Sequence, residues 1–363
     1  MPTLEIDLTK IQHNAKILKL LLAKRKVSII GVVKVTQGNP IIARSLVQGG
    51  IDYIGDSQIK NIMKMKKEGI DAQFVLIRIP SYIEIPLIVE YADYSINSEL
   101  ETIKLLENEA KKQNKIHNII LMIDIGDLRE GINPSNLDLF VKEILSLNNI
   151  KLSGIGTNLK CFRGVIPTNK NMEELSRYAK KIKERYDLEL EFVSGGNSAN
   201  LNWFKFCKDL GAINNLRIGE AIFLGRETIN FDPIPNLYTD VFKLTAEIVE
   251  LKKRTLNYKG EVVSNAFGEP VQQFPRNDNS GEGKKEVKVR TQALLNLGRQ
   301  DVTINGLTPT ENITILGGSS DYLVIDIIDN EFQIGQKLNF NLNYEALLRA
   351  MVSPYISKKY IFN

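Results

Sequence analysis

Lys34 stands where lysine is uncommon, near the end of an apolar run that is typical of a buried strand. It follows Ser28-Ile-Ile-Gly-Val-Val and precedes Val-Thr-Gln-Gly38. A lysine amine whose pKa is lowered by desolvation is a nucleophile towards carbonyl compounds and forms Schiff bases. A lysine that simply reaches solvent from the end of a strand is the alternative interpretation.

Polar and basic side chains end three other apolar runs. These segments are Asp124-Ile-Gly-Asp-Leu-Arg129, Ser194-Gly-Gly-Asn197-Ser198 and Leu216-Arg217-Ile-Gly219-Glu220. Glycines that let backbone amides approach a ligand, combined with hydroxyl and amide groups at a helix start, favour a phosphate cradle at Ser194–Ser198. A plain turn capped by Ser198 and solvated arginines are the alternatives. Taken with Lys34, the set predicts a pocket for a phosphorylated carbonyl compound, of which pyridoxal phosphate is the obvious candidate.

Eight short apolar runs alternate with longer amphipathic segments between residue 10 and about residue 225. The runs are Ile29–Val35, Tyr53–Gly55, Phe74–Ile79, Tyr94–Ile96, Ile119–Ile125, Leu152–Gly156, Leu190–Val193 and Leu216–Leu224. Eight strand–helix units predict an α/β fold, a parallel (β/α)8 barrel of the TIM type. A doubly wound open sheet is the alternative, which the unit count and the lack of an early Gly-x-Gly-x-x-Gly motif disfavour. Because barrel enzymes place their sites at the C-terminal ends of the strands, we expect the candidate residues to line one pocket.

The pattern changes after Pro233-Ile-Pro235, where β-branched alternation replaces helical periodicity until Tyr344–Met351. We expect residues 8–230 to form the cofactor-binding barrel. Residues 235–363, joined by an N-terminal strand within 1–7, are expected to form a mostly β second domain. The polar, glycine-rich segment Phe274–Lys285 is predicted to be a mobile loop.

Composition excludes several other classes of function. The 47 Lys and Arg residues are scattered among 43 Asp and Glu residues, so nucleic-acid binding is not indicated. No apolar stretch approaches the 18 or so residues of a membrane span, and no signal peptide is visible. Two cysteines, Cys161 and Cys207, favour a reducing, cytoplasmic compartment. Two histidines are too few to predict a metal site or a histidine-based triad.

The candidate segments resemble the alanine racemase family of pyridoxal-phosphate enzymes, and most closely its alanine/ornithine racemase branch. Besides the segments above, the resemblance rests on Gly31-Val-Val-Lys34-Val, Gly225, Gly298-Arg-Gln-Asp301, Gly317-Gly-Ser-Ser-Asp321 and Asn343–Tyr355. It covers nearly the whole chain. It implies an amino-acid racemase that works as a homodimer, in which the second domain of one subunit completes the active site of the other.

The resemblance also implies a role for each barrel residue. Lys34 carries the cofactor as an internal aldimine and exchanges the α-proton of the substrate on one face. Arg217 hydrogen-bonds the pyridine nitrogen, and Arg129 lies near the phenolic oxygen. The implied phosphate ligands are Asn197, Ser198, Tyr355 and, through backbone N–H groups, Gly219 and Glu220.

Two positions depart from the family pattern. Many alanine racemases have a histidine packed against the pyridine ring where this chain has Asn158, which we therefore expect beside the cofactor. Those racemases also use a tyrosine as the base on the opposite face, whereas Asn265-Ala-Phe267-Gly-Glu269 carries a phenylalanine, which cannot move a proton. Glu269, Asp301 or a tyrosine elsewhere in the second domain could supply that base.

Ornithine is the preferred substrate on this resemblance. Its distal ammonium would need an acidic partner, for which Glu269, Asp301 and Asp321 are the candidates. Alanine, serine or lysine could replace ornithine. Two further alternatives are a non-catalytic pyridoxal-phosphate carrier, which would resemble residues 10–230 alone, and a decarboxylase or aldolase on the same barrel.

Overall fold

A computed structural model describes residues 1–255, 261–270, 289–328 and 331–362. The predicted loop Phe274–Lys285 lies outside these residues. The chain divides into two compact units, Asp7–Val241 and a second unit made of Met1–Ile6 and Phe242–Ile361. Within the described residues, no helix has the length and apolar character needed to span a membrane.

The first unit follows an N-terminal strand, β1 (Thr3–Asp7). Its elements are α1 (Leu8–Ala23), β2 (Ser28–Val32), α2 (Pro40–Gln48), β3 (Tyr53–Asp56), α3 (Ile59–Lys67), β4 (Gln73–Leu76), α4 (Ile85–Tyr91), β5 (Tyr94–Asn97), α5 (Leu100–Lys112), β6 (His117–Met122), α6 (Leu137–Leu145), β7 (Ile150–Gly156), α7 (Asn169–Tyr186), β8 (Phe192–Ser194), α8 (Asn200–Phe206), β9 (Asn215–Ile218) and α9 (Glu220–Leu224). Strands β2 to β9 close in chain order into a parallel barrel, in which β9 pairs with β2. The predicted (β/α)8 barrel is confirmed.

Apolar side chains from alternate strand positions fill the barrel. Ile30, Val75, Ile96, Ile120 and Met122 form one buried cluster with the aromatic rings described next. Close strand packing also demands glycine at one point, because a Cβ on Gly154 would lie 2.5 Å from the carbonyl oxygen of Phe192. The strands therefore read as short apolar runs in the sequence since both of their faces are buried.

An aromatic cluster closes the N-terminal end of the barrel. The ring of Phe192 packs edge-to-face on Tyr53 and Tyr94, with ring centroids 5.2 and 5.3 Å apart. Both tyrosine hydroxyls donate to Glu191 Oε1, at 3.3 Å from Tyr53 and 2.9 Å from Tyr94. Closely packed rings whose hydroxyls are hydrogen-bonded stabilise this end of the barrel.

The described residues of the second unit form an antiparallel sheet with one α-helix. Its elements are β10 (Phe242–Thr255), β11 (Val289–Leu295), β12 (Leu307–Pro309), β13 (Ile313–Gly318), β14 (Leu323–Ile327), β15 (Lys337–Leu342), α10 (Tyr344–Val352) and β16 (Ser357–Ile361). The sheet order is β12-β15-β10-β11-β14-β13, and β1 pairs with β10 and β16. The mostly β character predicted for this part of the chain is confirmed, and the N-terminal strand pairs with it in the register Thr3↔Thr245 to Ile6↔Phe242.

Candidate active site

The predicted barrel residues all lie at the mouth of the barrel, which is the face formed by the C-terminal ends of β2 to β9. In chain order they are Lys34, Arg129, Asn158, Ser194, Asn197, Ser198, Arg217, Gly219 and Glu220. Because all eight strands run parallel, these ends meet at one face. Hydrogen bonds link several of the residues directly, as described below. The predicted residues therefore lie at one face, and their roles towards a ligand stay predictions.

Lys34 begins a short 3-10 helix, Lys34–Thr36, two residues beyond the end of β2. The predicted strand Ile29–Val35 thus ends early, because the chain turns at Val33. Val33 N donates to Gly55 O at 2.9 Å, and Val33 O accepts the Thr36 hydroxyl at 2.9 Å. Lys34 itself is exposed, and its ammonium makes no hydrogen bond or salt bridge with any residue that the structure describes. Its amine is therefore available to a ligand at the mouth.

Arg217 is a buried cation whose partners are all neutral oxygens. It is 6% exposed. One guanidinium nitrogen donates to Ser194 Oγ at 2.6 Å, and the other donates to Thr157 O at 2.5 Å and to Asn158 Oδ1 at 3.4 Å. Burial lowers the pKa of Arg217 to about 10. Glu130 acts on this cation only from a distance and raises its pKa. A buried charge is costly unless it is closely paired, so this guanidinium suits an electron-rich or anionic ligand at the mouth.

Ser194 supports Arg217 rather than offering its side chain to a phosphate. Its hydroxyl is fully buried, accepts from Arg217 and donates to Asn215 Oδ1 at 2.7 Å. Asn215 is held in turn, because its Nδ2 donates to Ser28 Oγ at 2.9 Å. The sequence placed Ser194 in the cradle, whereas the structure uses its hydroxyl to fix the guanidinium.

The remainder of the cradle is shaped by its own amide side chains. Asn197 Nδ2 donates to Asn158 Oδ1 at 3.1 Å and to Leu159 O at 2.8 Å. Gly196 has φ +142°, and a Cβ there would lie 2.2 Å from Asn200 Oδ1, so the turn requires glycine. Asn200 Oδ1 accepts from Asn197 N at 3.0 Å. Asn200, which sequence reasoning missed, therefore sets the backbone path of the cradle.

Four buried polar atoms lack a hydrogen-bond partner within the described part of the chain. They are Asp56 Oδ2, Asn97 Oδ1, Thr157 Oγ1 and Asn158 Nδ2. Each belongs to a residue at, or within two residues of, the C-terminal end of a barrel strand. Buried polar groups are nearly always paired, so these atoms indicate a polar ligand at this end. Asp56 and Asn97 were not predicted, although a polar residue at the end of an apolar run is the available signal.

Two acidic side chains near Lys34 have raised pKa values. Burial raises the pKa of Glu220 to about 7, against the lowering effects of Lys160 and Lys34. Burial also raises the pKa of Asp56 to about 6, although Gln58 N at 2.8 Å and Asn61 Nδ2 at 3.0 Å donate to its Oδ1. Both carboxyls therefore exchange protons close to neutral pH.

Arg129 lies in the loop after β6 and pairs with Glu130, to which it donates from Nε and, at 2.5 Å, from a terminal nitrogen. These hydrogen bonds raise the pKa of Arg129. The loop is anchored by the buried Asp127, which accepts at 3.1 Å from Phe162 N and Arg163 N in the loop after β7. Arg129 is thus held at the rim of the mouth.

The acidic candidates for substrate binding lie in the second unit, where each has a partner. Glu269 accepts from Arg299 at 2.9 and 2.6 Å. Asp301 is 3% exposed and accepts at 3.1 Å from both Gly298 N and Ser353 Oγ. Asp321 is exposed and accepts from Gln300 Nε2 at 3.1 Å. Their predicted roles towards a substrate stay predictions.

Phe267 and Tyr355 also lie in the second unit. The Arg299 guanidinium stacks 4.5 Å above the Phe267 ring. Tyr355 is 58% exposed, and its backbone N–H donates to Ser353 Oγ at 3.1 Å. Because Ser353 also donates to Asp301, that buried carboxyl helps to hold the Tyr355 segment. The predicted contact of Tyr355 with phosphate stays a prediction.

The parallel barrel accompanied by an antiparallel β unit matches the fold of solved alanine racemases. The fold matches an alanine racemase of Streptomyces coelicolor A3(2) with a TM-score of 0.75 and 16% identity, covering 99% of this chain and 98% of that one. It also matches an alanine racemase of Bartonella henselae with covalently bound pyridoxal phosphate, with a TM-score of 0.73, 17% identity and 99% of each chain covered.

Sequence comparison gives the family. The N-terminal domain of alanine racemase matches residues 6–227. An ornithine racemase of Acetoanaerobium sticklandii is 38% identical over 99% of both chains. A lysine racemase of Thermotoga maritima is 35% identical over 99% of this chain and 98% of its own. The chain belongs to the alanine racemase family.

Proposed function

We propose that this protein is a pyridoxal-phosphate-dependent amino-acid racemase whose substrate is ornithine. The observation that carries the proposal is the 38% identity to an ornithine racemase across 99% of both chains. The barrel mouth supports it, because its face carries both an unpaired lysine amine and a buried arginine whose hydrogen-bond partners are neutral oxygens.

The residues at the mouth fit pyridoxal phosphate. Lys34 has an unpaired amine for the aldehyde, and Arg217 offers a buried cation to the ring. The unpartnered Thr157 Oγ1 and Asn158 Nδ2 supply polar atoms that a bound ligand can satisfy. Pyridoxal phosphate, when bound, withdraws electrons from the α-carbon of an amino acid and so weakens its C–H bond.

The side chains of this protein then have separate tasks. Lys34 Nζ removes and returns the α-proton on one face of the substrate. Arg217 holds the ring in register, because Ser194 and Thr157 fix its guanidinium. Arg129, held by Glu130, contributes positive charge at the rim. The base on the opposite face is not Phe267, whose side chain carries no exchangeable proton.

Incubation with single amino acids tests the proposal directly. The purified protein with pyridoxal phosphate is mixed with L-ornithine, and the enantiomers are separated by chiral chromatography. We expect D-ornithine to approach half of the total, since the equilibrium constant of a racemisation is one by symmetry. In deuterium oxide the α-position gains deuterium without release of carbon dioxide. Absence of D-enantiomer from every amino acid tried would contradict the proposal and favour a non-catalytic pyridoxal-phosphate carrier.

Lysine is the second candidate substrate, because a lysine racemase is 35% identical over nearly the full chain. Lysine has one more methylene than ornithine, and a difference of that size changes kcat/KM by about 10- to 200-fold in a fitted pocket. We expect the ratio of kcat/KM for ornithine to that for lysine to exceed about ten. A ratio below one would make lysine the substrate.

We further propose a homodimer in the cytoplasm. The free thiols of Cys161 and Cys207 support a reducing compartment. Light scattering coupled to size-exclusion chromatography tests the dimer, for which we expect twice the mass of 41.0 kDa. A monomer that is fully active would contradict it.

A further inference from the structure

A free thiol lies across the mouth of the barrel from Lys34. Cys161 is in the loop after β7, and its side chain is exposed. Lys34 follows β2. Going round the closed barrel from β2 through β9 and β8, β7 is the third strand. Lys34 and Cys161 are therefore on different sides of the mouth.

The position of Cys161 is fixed by the residues on both sides of it. Lys160, just before it, has φ +65°, a left-handed conformation that is uncommon outside glycine. The backbone N–H groups of Phe162 and Arg163, just after it, both donate to the buried Asp127 at 3.1 Å. The thiol is therefore carried by an anchored turn.

Hydrogen bonds connect this thiol to the guanidinium of Arg217. Asn197 Nδ2 donates to Cys161 Sγ at 3.5 Å and to Asn158 Oδ1 at 3.1 Å. Asn158 Oδ1 also accepts from Arg217 at 3.4 Å. Burial lowers the pKa of Arg217, whereas Glu130 and then Cys161 raise it. The thiol therefore lies close to the cation that is proposed to hold the cofactor ring.

Asn158, which shares Asn197 with the thiol, indicates a ligand at this side of the mouth. Asn158 is 7% exposed, and its Nδ2 has no hydrogen-bond partner among the residues that the structure describes. Buried polar groups are nearly always paired. A ligand that accepts from this amide is held beside the pair formed by Asn197 and Cys161.

The acidic side chains at the mouth suit proton transfer on this side less well. Glu220 follows β9, which pairs directly with β2, so it lies on the same side as Lys34. Glu130 is engaged by Arg129, which donates to both of its carboxylate oxygens. Cys161 combines a position across the mouth from Lys34 with an exposed group that can transfer a proton.

We propose that Cys161 is the catalytic base on the face of the substrate opposite Lys34. As a thiolate, Cys161 Sγ takes the α-proton, and the electron pair of the broken C–H bond remains at the α-carbon. The Lys34 ammonium donates a proton to the other face, which inverts the α-carbon. Both groups are exposed, so the thiol releases its proton to water and the lysine amine regains one from water. The inference rests on the proposed function, because it assigns one step of that reaction.

Deuterium exchange of single enantiomers separates the two faces. Cofactor-loaded protein in deuterium oxide is mixed with L-ornithine or D-ornithine, and chiral chromatography with mass spectrometry follows the α-deuterium of each enantiomer. In Cys161→Ala the rate of racemisation should fall about 10²- to 10⁴-fold, the range of one general acid–base group. Lys34 should still exchange the α-hydrogen of one enantiomer at the wild-type rate, whereas exchange of the other enantiomer is lost.

Substitutions to serine at the two cysteines are the controls. In Cys161→Ser the side chain keeps its size and an atom that accepts from Asn197, but a hydroxyl does not ionise near neutral pH. Cys161→Ser should therefore be as slow as Cys161→Ala, whereas a purely structural role would be rescued. Cys207 follows α8, not a barrel strand, and its thiol donates to Asp209 O at 2.7 Å. Cys207→Ser should racemise ornithine at the wild-type rate.

Alkylation gives a second readout, which does not depend on turnover. Iodoacetamide should modify the exposed Cys161 of the cofactor-loaded protein and not the buried Cys207, as measured by mass spectrometry of the digested protein. Ornithine at about ten times its dissociation constant should slow modification of Cys161 about tenfold, because the bound substrate covers the thiol.

Three results would overturn the inference. The first is exchange of both enantiomers at the wild-type rates in Cys161→Ala, and the second is full racemisation by Cys161→Ser. The third is a rate of Cys161 alkylation that ornithine does not change. Equal loss of exchange for both enantiomers, in a variant with the wild-type circular dichroism and cofactor absorbance, also contradicts it, because the thiol serves one face only. A wild type that racemises no amino acid would instead refute the proposed function, before any variant is compared.

Discussion

The two ends of the barrel are built from opposite chemistry. At the N-terminal end, the rings of Tyr53, Tyr94 and Phe192 pack together, and Glu191 accepts hydrogen bonds from both tyrosines. At the C-terminal end, Lys34 has an unpaired amine and Arg217 has no counter-charge among its described contacts. The first end is satisfied by the protein alone, whereas the second is completed by a ligand.

The residues that stabilise the barrel and the residues of the candidate site therefore lie at opposite ends. The four unpartnered buried atoms all lie at the C-terminal end. An unpaired buried polar group costs about 1–3 kcal/mol, so these atoms lower the stability of the ligand-free protein. Substitutions at the mouth should therefore change chemistry with little loss of stability, and substitutions at the other end should do the reverse.

Lys34→Ala gives the largest expected effect. The rate of racemisation should fall by at least about 10⁴-fold, equivalent to about 5.5 kcal/mol. No other described residue at the mouth places an amine at the position of Lys34 Nζ. The cofactor absorbance of the lysine-linked form should disappear as well. The melting temperature should stay unchanged, since Lys34 is exposed and unpaired. Full turnover in the variant would remove Lys34 from the mechanism.

Phe192→Ala should destabilise the fold by about 3–5 kcal/mol, because it opens a cavity between two packed rings. Denaturant unfolding measures this loss. The KM of the folded fraction should not change, since the opposite end of the barrel holds the site. A large rise in KM with unchanged stability would contradict the separation of the two ends.

Acid should weaken the N-terminal end through His117, at the start of β6. Burial lowers the pKa of His117 to about 4, and Ser95 Oγ lies 2.8 Å from its Nε2. The unfolded chain takes up a proton at about pH 6.5 but the folded chain does not, so stability falls as the pH drops from about 6.5 to about 4. The expected loss is about 3 kcal/mol.

His117→Gln should abolish this acid loss, as measured by urea unfolding at several pH values. Asp56 and Glu220 act with the opposite sign, because their raised pKa values let the folded protein bind protons more readily as the pH falls. In Glu220→Gln, the free energy of unfolding should therefore fall more steeply with decreasing pH than it does in the wild type. If His117→Gln retained the same acid sensitivity, the burial argument at this end would be wrong.

Glu191→Gln should have the smallest effect of the set. It removes a charged acceptor from two tyrosine hydroxyls, at a cost of about 1–2 kcal/mol in unfolding free energy. Activity at neutral pH should be unaffected. A matched Glu189→Gln change at an exposed neighbouring position should cost less than about 0.5 kcal/mol.

The barrel could be predicted from the sequence because parallel strands buried on both faces read as apolar runs. The ends of those runs were less predictable. The predicted strand Ile29–Val35 ends at Val32 because Val33 O accepts the hydrogen bonds of a turn. This turn spans three residues and contains no glycine or proline, so the apolar pattern gave no sign of it.

The site was predicted as far as residue type and strand-end position allow. Lys34 and Arg217 were placed at the mouth in this way, and their roles towards a cofactor stay predictions. The use of the Ser194 hydroxyl was not, because Asn215 and Arg217, which engage it, lie more than 20 residues away in the chain. The unpartnered atoms of Asp56 and Thr157 also needed coordinates, since a sequence does not show which polar groups are buried without partners.

Borohydride reduction of the cofactor-loaded protein shows which amine holds the cofactor. Reduction fixes the link between pyridoxal phosphate and the amine that binds it, and mass spectrometry of the digested protein locates the modified peptide. The account predicts one phosphopyridoxyl group, on Lys34, and none in Lys34→Ala. Modification of another lysine at full occupancy, with Lys34 unmodified, would contradict it.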